Sequence, residues 1–152
     1  MKRPIRKVFF QAEQAGNQTE YWEGQWDDDV RTFDGQVRRL LAAHLPSGGR
    51  VLEAGCGQGQ VVAGLASLGH TVVGIDLAQR ALADCHHRQP TLPLSVADVG
   101  QMPFPDATFN AVVSLGVVEH FEPGPLPVLQ EHRRVLDDEG VLFLTAPARG
   151  WY

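Results

Sequence analysis

Gly55, Gly57 and Gly59 follow the short run Val51-Leu52-Glu53-Ala54 and lead into a segment of helical period. Glycines between a strand and a helix let the backbone approach a ligand closely and aim amide groups at it. Cys56, between the first two glycines, is a small filler rather than a nucleophile. Asp76 follows Gly55 by 21 residues, at the end of a second β-rich run. There a carboxylate reaches across to the two hydroxyls of a ribose. Loop and acid together predict a nucleoside-binding crevice at the carboxyl ends of the strands. A dinucleotide fingerprint requires Gly or Ala where this chain has Gln60. Glu53, two positions before the first glycine, is a poor neighbour for a pyrophosphate but suits a positive amino group. A sulfonium nucleoside with an amino-acid tail satisfies both facts.

The elements that must position these residues are legible from their period. Strands are predicted at Arg50–Ala54, Thr71–Asp76, Leu92–Ala97, Phe109–Leu115 and Val141–Thr145. Helices are predicted from Gln58 to Leu68, with Val61, Val62 and Leu65 inward, and from Ala78 to Arg88, with Ala78, Ala81, Leu82 and Cys85 on one face. A further helix begins near Pro127 and turns Val128, His132, Val135 and Leu136 inward; a proline at the first helical position loses no needed hydrogen bond. Pro103 and Pro105 make 102–106 a loop, and Asp138-Glu139-Gly140 a turn. Phe33, Val37, Leu40, Leu41 and His44 share one helical stripe ahead of this core. Strands joined by helical crossovers imply a parallel sheet, a doubly wound α/β fold.

The blocks VLEAGCGQG (51–59), VVGIDLA (72–78), Asp98, PFPDATFNAVVS (103–114) and VVEHF (117–121) occur in one order. With them the chain resembles the class I S-adenosylmethionine-dependent methyltransferases over roughly residues 32–147, particularly the small-molecule branch similar to ubiquinone-biosynthesis methyltransferases. The resemblance implies a Rossmann-like sheet in the order 3-2-1-4-5, without the family's last two strands. It also implies S-adenosylmethionine as cofactor and a role for each matching position. Glu53 would anchor the methionine amino group, through water or adjacent backbone. Gly55, Cys56, Gly57 and Gly59 would form the loop beneath methionine and ribose. Asp76 would take the ribose hydroxyls, with Leu77 packed on the adenine. Asp98 would accept from the adenine amino group, and the Val99 amide would face a ring nitrogen. Ser114, Leu115 and Gly116 would line the methionine side near the reactive methyl.

His120 is the catalytic candidate, as a base or substrate-orienting residue, with a structural cap on its loop as the alternative. Some family members bind a divalent cation through an E-x-x-E-H run here, but its first acidic position is Gly116 in this chain. No metal is therefore expected. Cys85-His86-His87 offers no metal site either, because consecutive helix residues point in different directions. Asn110 departs from the aspartate common in its block, without expected consequence.

A chain of 152 residues suggests one domain: an arm at 1–31 and a methyltransferase core at 32–152. Tyr21, Trp22 and Trp26 make the arm either a packing segment or a lid. A net charge of −5 argues against a surface built to track nucleic-acid phosphates. The longest nearly apolar run, 111–118, is far short of the ~20 residues that span a bilayer. Two cysteines make no disulfide framework, so a reducing cytoplasm is expected. The expected reaction is methyl transfer to a small-molecule acceptor. The alternatives are an NAD-dependent oxidoreductase with a divergent glycine loop and a non-catalytic cofactor-binding module or fragment. Because the chain stops just after its fifth core strand, residues 141–144 should present an unpaired edge, open to self-pairing or to a continuation of the chain.

Overall fold

The computed structural model describes residues 8–9, 35–121 and 124–146. In chain order its elements are β1 (Val8–Phe9), α1 (Gly35–His44), β2 (Arg50–Ala54), α2 (Gln60–Ser67), β3 (Thr71–Asp76) and α3 (Gln79–Arg88). They continue with β4 (Leu94–Val96), β5 (Phe109–Leu115), a 3-10 turn (Val118–His120), α4 (Leu126–Val135) and β6 (Leu136–Ala146). The sheet is parallel throughout, in the order β1-β6-β5-β2-β3-β4. Without β1, the five core strands take the expected order 3-2-1-4-5.

Both sides of the sheet are covered, which is why its central strands are apolar almost without interruption. Along β2, Val51 faces one core and Leu52 and Ala54 the other. The first core joins Val51, Val72, Ala111 and Val113 to helical residues of α1, α2 and α3, among them Leu41, Val62, Leu65 and Leu82. The second joins Leu52, Ile75 and Val112 to Val128 and Val135 of α4 and to the loop residues Val99 and Met102. One side is thus roofed by three helices, the other by α4 and loop.

Several boundaries differ from those predicted. In α1 the buried position is Leu41, followed by Leu45, whereas Leu40 is 40% exposed and His44 lies at the surface. The inward stripe therefore follows the four-residue spacing Val37-Leu41-Leu45 rather than the stripe drawn through Leu40 and His44. Pro93 has no N–H to add to a ladder, and the third core strand shortens to three residues. The Asp138-Glu139-Gly140 turn lies inside β6 as an irregularity. Phe109 pairs with Leu136 and Ala111 with Val141, so two steps on β5 oppose five on β6. The arm contributes β1, which pairs Val8 with Thr145 and Phe9 with Ala146. The edge beside the fifth core strand is therefore partly covered, at its last two residues. Among the described residues, nothing pairs with 141–144 on that side. Tyr21, Trp22 and Trp26 lie outside the described residues.

Candidate functional site

The carboxyl ends of β2 and β3 are tied together by one side chain. Asp76, the last residue of β3 and half-buried, accepts from the Gly57 amide through Oδ2 at 2.7 Å. Its Oδ1 accepts from the Ala78 amide at 2.8 Å, ahead of α3. The Gly55 and Cys56 amides donate to the Ile75 carbonyl at 2.8 and 2.9 Å, closing the same seam. The glycines are required here. Gly55 has φ +86°, and a Cβ on it would stand 2.4 Å from Val117 Cγ2. Gly59 has φ +71°, and a Cβ there would meet Cys85 Sγ at 3.0 Å. Backbone of the first crossover thus lies close against Val117, two residues past the end of β5.

Glu53 is 5% exposed on β2, and its Oε2 accepts from the Val62 amide at 3.0 Å. Val62 lies in the first turn of α2, whose N-cap Gly59 offers no side-chain cap, so Glu53 caps that helix from the neighbouring strand. Burial raises the Glu53 carboxyl well above the ordinary carboxylate range; the Val62 bond opposes this and the Asp76 charge adds to it. The Cys56 thiol is pushed up by burial and then by Glu53 and Asp76, which leaves it inert as a nucleophile. Residues 53–59 and 76–78 contain no Lys or Arg. Acids and backbone amides without a cation suit hydroxyls and an amine better than a diphosphate.

Further along the rim, β4 leads into Asp98, whose Oδ1 accepts from the Gly100 amide at 2.7 Å. Asp98 is exposed and Val99 is buried in the second core. Leu77 is 37% exposed beside Asp76. On β5, Ser114 is fully buried and its Oγ has no hydrogen-bond partner, while Leu115 and Gly116 are half-buried at the strand end. His120 closes the 3-10 turn, its amide bonded to the Val117 carbonyl at 3.1 Å and its Nε2 3.9 Å from Glu119 Oε1. The structure joins the glycine loop and Asp76 in one bonded seam, while Glu53 bonds to α2 beside it. Asp98 is joined to it through the Ala97 amide, which donates to the Asp76 carbonyl at 3.0 Å. Cys85 is buried whereas His86 and His87 are exposed, so the three do not converge.

Sequence reasoning passed over Val117, which limits the approach of Gly55, and the pair Glu131 and Arg134 on α4. The available signal was an acid and an arginine at i, i+3 beside a buried stripe. Among the described residues His132 is fully buried; its Nδ1 contacts the Val128 carbonyl and its Nε2 has no partner. Burial lowers its pKa.

The family whose description is "Methyltransferase domain" matches residues 52–144. A probable S-adenosylmethionine-dependent methyltransferase of Mycolicibacterium smegmatis is 33% identical over 107 residues, 70% of this chain and 41% of that protein. The 27-O-demethylrifamycin SV methyltransferase of Amycolatopsis mediterranei is 31% identical over 133 residues, 80% of this chain and 48% of that protein. The chain thus spans less than half the length of either relative. Among solved structures, a Pyrococcus horikoshii protein superposes with a TM-score of 0.64 at 30% identity, over 68% of this chain and 51% of its own.

Proposed function

The chain belongs to the methyltransferase domain family, and from that premise we propose that it carries out S-adenosylmethionine-dependent methyl transfer to a small-molecule acceptor. The observation that carries this reading is the Asp76 carboxylate, held by two backbone amides at the mouth between β2 and β3. A carboxylate has about four acceptor sites, so two amides leave capacity for the ribose hydroxyls. Leu77 offers an apolar face to the adenine, and Asp98 with the Val99 amide meets its edge. Glu53 sets a buried carboxyl acceptor near the methionine amino end, and Gly55, Cys56, Gly57 and Gly59 give that end a floor of backbone. Ser114, Leu115 and Gly116 form the side toward the reacting carbon.

When bound, the sulfonium supplies both the methyl group and a neutral leaving group. The chain's own contribution is to hold an acceptor in line and to exclude water. A general base is needed only where the acceptor is a weakly acidic hydroxyl or a protonated amine. His120, at the rim after β5, is the residue for that task, as base or as orienter of the acceptor. The rifamycin relative supports an acceptor of small-molecule class. No described helix is long and apolar enough to cross a membrane. Two buried free thiols suit a reducing cytoplasm.

Isothermal titration of the chain with S-adenosylmethionine, S-adenosylhomocysteine and NAD tests the reading. The first two should bind and NAD should not. Asp76→Ala should weaken binding on the order of tenfold to a hundredfold, as expected for lost bonds to a charged group. An unchanged affinity in that variant would remove the ribose role. Preferential binding of NAD would instead favour a hydride-transfer enzyme.

A further inference from the structure

We propose that Glu131 and Arg134 of α4 are positioning residues for the base end of the nucleoside crevice, holding the loop that carries Asp98 and Val99. The proposal rests on the function reading above and adds to it two residues remote from the glycine loop.

The loop between β4 and β5 has little secondary structure of its own. Pro103 and Pro105 remove two donors from it. Arg134 replaces the missing ladder. Its Nε donates to Glu131 Oε2 at 2.8 Å, and Nη2 donates to Glu131 Oε1 at 2.6 Å and to the Met102 carbonyl at 3.1 Å. Nη1 donates to the Phe104 carbonyl at 2.7 Å and to Asp106 Oδ1 at 2.9 Å. A guanidinium has five N–H groups, and these five acceptors use the whole fork. Glu131 completes the clasp, since Oε1 also accepts from the Met102 amide at 2.7 Å. Backbone bonds fasten the far side, from Ala107 N to the Arg134 carbonyl and from Thr108 N to the Val135 carbonyl.

Asp98 to Gln101 is therefore a single turn stretched between two fixed points. At one end the Ala97 amide holds to the Asp76 carbonyl; at the other Met102 is gripped by Glu131 and Arg134. Within the turn, Gly100 N and Gln101 N bond back to Asp98. Val99 and Met102 are buried in the same core as Val128 and Val135. Relaxing the clasp frees Met102 and, with it, the direction in which Asp98 and the Val99 amide point. The Asp76 end of the crevice is tied by its own bonds and should not feel the change.

The test compares S-adenosylhomocysteine with two counterparts, one carrying hypoxanthine for adenine and one carrying 2′-deoxyribose for ribose. Arg134→Lys keeps the charge but offers three donors in place of a planar fork of five. The unaltered chain should prefer adenine over hypoxanthine and ribose over deoxyribose. Arg134→Lys should lose about tenfold of the adenine preference and keep the ribose preference. Glu131→Gln, which keeps an acceptor for the Met102 amide, should lose less of it. Circular dichroism establishes that each variant is folded, and an Arg134→Lys chain that does not fold leaves the decision to Glu131→Gln. Adenine preference equal to that of the unaltered chain, or both preferences lost in parallel, overturns the positioning role alone. Failure of the unaltered chain to bind S-adenosylhomocysteine sinks the function reading and this proposal with it.

Discussion

The two sides of the sheet are held by different physics. On one, α1, α2 and α3 lay Leu41, Val62, Leu65 and Leu82 against Val51, Val72 and Val113. On the other, α4 shares the roof with a loop, and their junction is the Arg134–Glu131 clasp together with Val99 and Met102. Apolar packing is non-directional and tolerates small shifts, whereas a five-donor fork fixes a backbone that has no ladder. The difference teaches where precision is required. The helical side supports strands, while on the proposed reading the loop side aims a carboxylate and an amide.

The largest expected effect is on the helical side. Leu65 is fully buried, and Leu65→Ala should cost about 3 kcal/mol by denaturant titration, with little dependence on salt. Arg134→Ala should cost about 1–2 kcal/mol, discounted because Asp106 is largely exposed, and the cost should shrink at ~1 M salt. Equal salt dependence in the two variants would erase the contrast.

A smaller effect is expected at the amino ends of the strands. There Asn110 Oδ1 accepts from the Arg50 amide at 2.8 Å, and its Nδ2 donates to Asp137 Oδ2. Asn110→Asp sets two carboxylates against each other and should destabilise by about 1 kcal/mol at neutral pH, with recovery on acidification. A thermal scan at both pH values checks this; a variant as stable as the original would show that the amide is immaterial.

The smallest expected effect concerns His132, on the buried face of α4. Burial lowers the folded imidazole's pKa, so the unfolded chain takes up the proton first as pH falls. Stability that is intact above the unfolded value of about 6.5 should decline below it. His132→Leu should flatten that slope, and a slope unaltered by the substitution would assign the pH dependence to other groups.

What was legible in the sequence follows the same division. Strands β2, β3 and β5 match their predicted limits because each is a short stretch with an apolar centre, bounded by turn residues such as Gly49 and Gly55, Gly69, and Gly116. The inward faces of α2, α3 and α4 follow from their period. Gly55, Gly57, Gly59 and Asp76 stood out because a backbone-built loop requires glycine at particular spacings. Glu53 was expected at a ligand's amino group, and its bond to the Val62 amide had no local signal, since the two residues meet only through the fold. The reach of Arg134 to Phe104, 30 positions earlier, was equally out of sight, as was the irregular stretch of β6. Asn110 was given no consequence, yet it bridges Arg50 to Asp137, a partner 27 positions away.

The parallel register of β2 also governs the order in which a nascent chain can mature. Its Val51 finds Val72 on β3 after 21 residues but must wait 60 residues for Ala111 on β5. Val117, against which Gly55 rests, emerges later still. Until then the edge of β2 that will meet β5 stands unpaired, its backbone groups met by water alone. Pairings of such sequence separation form slowly because the loop must close before the contact rewards it. Synthesis of this protein therefore passes through a vulnerable interval, and a chaperone that shields aliphatic strands would act most usefully between the appearance of β3 and that of β5.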